Sequence, residues 1–388
     1  MIDPQTMTVL ICDDMITMCR SIHKMMKVIG FGKAFHYAHN GKEALSALRK
    51  KGIDLLLMDY NMPVMNGGET LAQIREDRLL RDLPVLMISA NASTEYVAEV
   101  AETDIDGFIA KPLTVKVLEQ KLTLVVDNAN NPPPVTKHLK NARDCEEDDD
   151  LPGAIRDARL AVEAAPHSSK PLRELGYYYL KNGAPESAEK MLLKAAKMND
   201  LDVVAFHQLG EFYIEKKDYE KAQYYLEKAM KISPRHLARG FQFGKTLIQL
   251  QENKKAVEVF DSIIKLSDDS QKTKEQIAEL CLGTGTSAYA AELFESILAN
   301  NPKRKELFHK IGMAWKVAGR TSEALSNLGK AEQHDPEDIG IKIDLAKSFI
   351  DLEKPILAER ALKRALRIDP EHNQAQKLMK DCIAMDAP

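Results

Sequence analysis

The segment DLLLMDYNMPVMNGG, residues 54–68, sets four apolar side chains against an aspartate, then a proline and a glycine pair. A short apolar run that stops at turn-forming residues is the pattern of a strand buried on both faces. Similar runs stand at TVLIC (8–12), AFHYA (34–38), PVLMI (84–88) and GFIA (107–110). Between them lie amphipathic stretches such as residues 41–48, whose apolar positions recur at helical spacing. Five strands alternating with helices predict a doubly wound, five-stranded parallel sheet.

In open α/β sheets, functional groups gather where the strands end at their carboxyl side. The residues following these runs are Asp13 and Asp14, Asp59, Ser89 and Ala90, and Lys111 and Pro112. Three carboxylates brought to one edge repel unless a hard divalent cation sits among them, which points to Mg²⁺. Singly, each of these residues is more often a helix cap or a solvated charge. Their joint placement at successive strand ends carries the reading.

Asp13-Asp14, Met58 through Pro63, Asn66-Gly67, Ser89-Ala90 and Lys111-Pro112 together resemble the receiver domain of bacterial two-component response regulators, over roughly residues 7–122. The resemblance implies a flavodoxin-like fold in which Asp59 accepts a phosphoryl group from a histidine kinase or phosphotransfer protein. It implies Mg²⁺ held by Asp13, Asp14, Asp59 and the backbone carbonyl of Asn61. Ser89 and Lys111 would contact the phosphoryl group, and Phe108 would be the aromatic that turns inward on switching. Residues 92–122 would form the output surface, and Asn61 and Asn91 occupy positions that tune phosphate lifetime.

Beyond residue 135 the chain repeats every 34 residues. Alanine stands at 154, 188, 222, 256, 290, 324 and 358, and proline at 166, 234, 302, 336 and 370, with Asp200 and Asp268 in the two gaps. If alanine were about a tenth of residues, that column would arise by chance on the order of once in ten million. Gly176, Gly210, Gly244 and Gly312 form a second column, and Leu192, Leu226, Phe260, Phe294, Leu328 and Leu362 a third. Small residues let two antiparallel helices approach and large ones fill the space between. The period and columns resemble the tetratricopeptide repeat (TPR) family.

The expected organisation is α/β followed by all-α: a receiver at 1–125, a Pro/Asn-rich linker at 126–134, and an α-helical TPR solenoid at 135–388. The solenoid would hold about seven repeats and a C-terminal capping helix. The first repeat departs from the pattern at His138, Asn141, Ala142 and Cys145, so its first helix is expected to be distorted or docked on the receiver. The fifth departs at Lys274 and Ala278, where a kink or local looseness is expected. The acidic run Glu146 to Asp150 is expected to be solvated. A solenoid presents a concave groove, and register assigns Arg173, Tyr177, His207, Glu211, Phe241 and Lys245 to it, for an unidentified protein or peptide partner.

Residues 1–130 carry 14 basic against 17 acidic side chains, and the remainder 40 against 41. Many response regulators bind DNA, but this balance shows no basic half and argues against a nucleic-acid output. The five cysteines have no C-x-x-C spacing and are expected to be packing or surface thiols. No signal peptide or membrane span is evident, so a cytoplasmic location without membrane insertion is expected.

The resulting expectation is a phosphorylation-switched adaptor, which could include a phosphorylation-dependent dimer. It is not an enzyme apart from slow self-phosphorylation and self-dephosphorylation at Asp59. The alternatives are a constitutive scaffold with a non-signalling receiver, and an Mg²⁺-dependent aspartyl phosphatase. The last is disfavoured by Asn61 where an acid/base aspartate would stand.

Overall fold

The computed structural model describes residues 1–90, 105–267 and 269–385. Asn91, the first part of the expected output surface (92–104) and Asp268 lie outside these. Five strands, β1 (Thr8–Cys12), β2 (Ala34–Ala38), β3 (Leu55–Asp59), β4 (Val85–Ser89) and β5 (Gly107–Ala110), pair in parallel in the order β2-β1-β3-β4-β5. The strand period of two sorts their side chains onto two faces. Leu10, Leu56, Met58, Val85 and Met87 pack with α2 (Gly41–Lys50) and α3 (Gly67–Glu76). Val9, Ile11, Leu55, Leu57, Leu86, Ile88 and Ile109 pack with α1 (Ile16–Ile29) and α4 (Val115–Asn130).

β3 and β4 each run one residue further than their apolar runs suggest. Asp59 still pairs with Ile88 and Ser89 with Ala110. Both polar side chains are therefore fixed by strand backbone rather than by turns.

The expected linker is corrected. Residues 126–130 belong to α4: Val125 and Val126 are buried in the sheet core, and the Asn130 side chain bonds both the N–H and the carbonyl of Ile2. Only residues 131–133 separate α4 from the next helix. The polar text is a helix end facing water.

From residue 134 the described chain is helical hairpins. Unit by unit these are α5 (Pro134–Glu147) with α6 (Leu151–Ala164), α7 (Ser169–Lys181) with α8 (Pro185–Met198), then α9 (Val203–Glu215) and α10 (Tyr219–Ile232). Next come α11 (Leu237–Gln249) with α12 (Asn253–Leu266), α13 (Ser270–Cys281) with α14 (Ser287–Asn300), and α15 (Leu307–Val317) with α16 (Thr321–His334). Last are α17 (Ile339–Asp351) with α18 (Pro355–Ile368) and the single helix α19 (Asn373–Met385). The chain divides into two compact units, 1–212 with 228–234, and 213–227 with 235–388.

The repeat columns have a direct packing basis. All seven alanines are completely buried. A Cβ on Gly176, Gly244 or Gly312 would meet Leu192, Phe260 or Leu328 at 2.8, 2.2 and 2.7 Å, so each glycine makes room for its column partner. The helix-to-helix turns also keep register. Left-handed backbone falls at Asp149, Gly183, Lys217, Gln251, Gly319 and Glu353, all on the 34-residue ladder. In the fifth repeat it moves to Gly283, two residues early. The departure expected there is thus in the turn, while α13 is a regular helix with Ala278 fully buried and Lys274 bonded to Ser296 at 2.9 Å.

In the first repeat α5 is a regular helix whose only fully buried side chain is Ala142. His138 and Asn141 turn to the buried Asp157, at 3.1 and 3.5 Å. The acidic run is half-buried at Glu146 and exposed from Glu147 to Asp150, yet most of it is paired. Glu146 accepts from Tyr177 and Lys181, Glu147 and Asp148 pair with Arg78, and Asp150 caps α6 at Gly153.

Candidate functional site

The carboxyl edge of the sheet gathers the acidic residues. Asp13, 1% exposed, follows β1, and Asp59, 5% exposed, ends β3. Lys111 follows β5 and its ammonium spans them, 2.7 Å from Asp59 Oδ1 and 3.1 Å from Asp13 Oδ2. The other Asp13 oxygen accepts the Met15 N–H at 2.9 Å. Ser89, fully buried, ends the strand between β3 and β5, and its carbonyl accepts the Lys111 N–H at 2.7 Å. The Lys111–Pro112 peptide is cis.

Asp14 and Asn61 are exposed at the rim, and Phe108 is half-buried against the cluster of the α2/α3 face. The structure therefore brings together Asp13, Asp59 and Lys111 in direct contact, with Ser89 on the adjoining strand.

The electrostatics of this edge have one sign. Burial pushes the Asp59 carboxyl above its ordinary value, Asp13 and Asp14 add to the push, and the Lys111 contact only partly offsets it. Burial alone would lower Lys111, but its hydrogen bonds to Asp59 and Asp13 outweigh that and hold the ammonium charged. Both shifts express a pocket of oxygen donors in need of positive charge. That donor set fits a hard divalent cation. Among the described residues no three acidic, histidine or cysteine side chains are grouped as a metal cage; the lysine holds two of the carboxylates itself.

The roles of the supporting residues come from the structure. A Cβ on Gly67 would meet the Asp59 carbonyl at 2.5 Å and Tyr60 Cα at 2.8 Å, so the loop closes against the acceptor strand only with glycine. The Asn66 side chain accepts from the Glu69 N–H and the Glu69 carboxylate accepts from the Asn66 N–H, forming a capping box that fixes α3 beside this loop. His39 places a ring nitrogen 3.2 Å from the Asp13 carbonyl, which its spacing does not foretell.

Of the groove residues, Arg173 is corrected. Its side chain is 11% exposed, and its guanidinium bonds both carboxylate oxygens of Asp202 at 3.0 and 3.1 Å, joining α7 to the start of α9. Tyr177 is half-buried and donates to Glu146 at 2.8 Å. His207 faces Glu211 at 3.6 Å, Phe241 is half-buried and Lys245 exposed.

The five cysteines are free, and four of them are buried. None of the described helices is long and apolar enough to cross a membrane.

A parallel sheet whose carboxyl edge holds acidic residues bridged by a lysine, followed by helical hairpin repeats, defines a class of two-part proteins. Residues 9–123 match the response regulator receiver domain family, and residues 203–236 and 318–382 match tetratricopeptide repeat families. The chain is 36% identical over 124 residues to the chemotaxis protein CheY of Pseudomonas aeruginosa, covering 32% of this chain and 99% of that protein. It is 38% identical over 123 residues to chemotaxis protein CheY-3 of Vibrio cholerae, covering 32% and 94%. A solved tetratricopeptide repeat protein from Parabacteroides merdae aligns over 64% of this chain and 99% of its own at 17% identity, with a TM-score of 0.39. The chain belongs to the response regulator receiver family, and carries tetratricopeptide repeats after the receiver.

Proposed function

We propose that the protein is the response regulator of a two-component phosphorelay, accepting a phosphoryl group on Asp59 and controlling protein contacts through its repeat array. The observation that carries the reading is the Lys111 ammonium between two nearly buried carboxylates at the sheet edge.

An Asp59 oxygen attacks phosphorus of a phosphohistidine on a kinase or phosphotransfer protein. The new O–P bond forms as the N–P bond breaks, and the departing imidazole takes a proton. Asp13, Asp14, Asp59 and the Asn61 carbonyl would hold Mg²⁺, which when bound neutralises charge on the phosphoryl oxygens. Lys111 pairs with the transferred group and leaves Asp13, while the Ser89 hydroxyl donates to a phosphoryl oxygen. Phe108, on the same strand as Lys111, follows that rearrangement.

The balanced charge supports a protein partner rather than nucleic acid. Tyr177, His207 and Glu211 in one compact unit, and separately Phe241 and Lys245 in the other, are the candidate contacts, and a cytoplasmic place of action fits this chemistry. Phosphorylation-dependent pairing of two copies is part of the same proposal.

The test is intact-mass analysis after Mg²⁺ and acetyl phosphate. A single persistent phosphoryl adduct is expected on the wild type and none on Asp59→Asn. An unmodified wild type would overturn the reading, and rapid multiple turnover of a phosphomonoester would favour an enzyme.

A further inference from the structure

The rim of the receiver opposite Asp59 is built into the repeat array. Between α3 and β4 the chain presents Arg78, Arg81 and Asp82, and α5 meets them. Arg81, 6% exposed in its side chain, pairs with Asp144 at 2.5 Å and with Glu147. Asp82 accepts from Lys140 at 2.7 Å and Arg143 at 2.9 Å. The two receiver residues carry opposite charge, so sliding the helix along them would set like charges against each other. A buried arginine with two carboxylates is also far costlier to disrupt than a solvated pair.

On the receiver side this clasp is wired to β5. Arg75 donates to the carbonyls of Arg81 and Leu83, each at 2.9 Å, and to Asp106 at 2.8 Å. The same Asp106 oxygen accepts the Val85 N–H at 2.8 Å. Asp106 immediately precedes β5 and Lys111 immediately follows it. A four-residue strand thus has the acceptor-site lysine at one end and the clasp's anchor at the other, about 16 Å apart.

On the array side, Glu146 of the same helix accepts from Tyr177 at 2.8 Å and pairs with Lys181, both on α7. α5 therefore carries the receiver on one face and a candidate groove tyrosine on another.

We propose that Asp106, Arg75, Arg81 and Glu147 form a polar relay through which movement of β5 reaches α5 and Tyr177. The first hairpin is then the receiver's own docking element rather than a partner-binding repeat. This rests on the phosphoacceptor reading: when Lys111 leaves Asp13 for a phosphoryl group, β5 moves as a unit, and Arg75 passes the shift to the Arg81 and Leu83 carbonyls. Packed elements transmit such shifts because they are not continuously deformable.

The test is hydrogen exchange on the full chain with and without Mg²⁺ and beryllium fluoride as a phosphoryl mimic, for the wild type, Arg81→Gln and Glu147→Gln. In the wild type, protection should change in peptides 54–68 and, by about threefold, in 134–147 and 175–181. In both variants the 54–68 response should persist while the other two are lost. A response at 54–68 without one in 134–181 of the wild type overturns the relay alone. Equal responses in wild type and variants overturn it also. No response at 54–68 overturns the phosphoacceptor reading, and the relay with it.

Discussion

At the scale of single residues, the acceptor site depends on a glycine as much as on its charges. Gly67→Ala places a methyl group against the Asp59 carbonyl and Tyr60 Cα, and overpacking of this kind costs about 1–3 kcal/mol. The expected result is a lower melting temperature and slower labelling by acetyl phosphate, whereas Lys42→Ala, at an exposed position of α2, should change neither. Arg173 makes the complementary case. Arg173→Ala leaves the buried Asp202 carboxylate with only the Ala205 N–H to hold it and should lose about 3 kcal/mol of stability by denaturant titration, while Arg173→Met with Asp202→Asn, which removes the charge and keeps that cap, should recover part of it. Asp13, Asp59 and Lys111 were legible because strand ends converge by topology. Arg173 was not, because helical register fixes the face from which a side chain starts but not where a long one ends. Its partner lies 29 residues on, across a turn.

Elements were legible where periodicity is strong. The apolar runs located all five strands, and the 34-residue columns located the hairpins. The linker was misread because composition describes the solvent face of a helix end and is silent about Val125 and Val126 on the other side. The hairpin turns yield a prediction that the columns did not. Lys217, Gln251 and Glu353 adopt φ of 58°, 60° and 54°, where side chains bearing a Cβ are disfavoured and the matching places in two other repeats hold Gly183 and Gly319. Replacing each of the three by glycine should stabilise the array by about 0.5 kcal/mol, read as a near-additive rise in denaturation midpoint. At the far end, α19 covers the last hairpin through Ala375, Leu378, Met379 and Cys382. Deleting residues 373–388 should cost on the order of 3 kcal/mol and melt the last hairpin first.

Over the whole molecule, the joint between receiver and array is ionic. Docking of α5 was foreshadowed by its departures from the repeat columns, but the charges that hold it were not, because interface charges have the same composition as solvated ones; Glu147 and Asp148 looked like a turn in water. Burial would raise the Asp82 carboxyl, but hydrogen bonds and charge from Lys140 and Arg143 bring it below its ordinary value of 3.8. A lowered carboxyl stabilises above the unfolded value and loses that contribution as pH falls through the folded one. Acid below that range should therefore loosen α5 from the receiver, read as rising hydrogen exchange in 134–147, and Asp82→Asn should remove that part of the pH response. Raising salt toward 1 M should weaken the exposed pairs Lys140–Asp82 and Arg78–Asp148 more than the buried Arg81 pairs.

The thiols carry a further consequence. Cys12 lies on β1 and Cys19 on α1, Cys281 in the fifth hairpin and Cys382 on the inner face of α19, all enclosed, and burial lifts Cys19 and Cys281 to about 11. Alkylating reagents attack the deprotonated sulfur, so each of these atoms stays chemically silent until its own segment opens. Together they amount to a set of tamper seals distributed along the chain, whose order of breaking under mild denaturant would record which part gives way first.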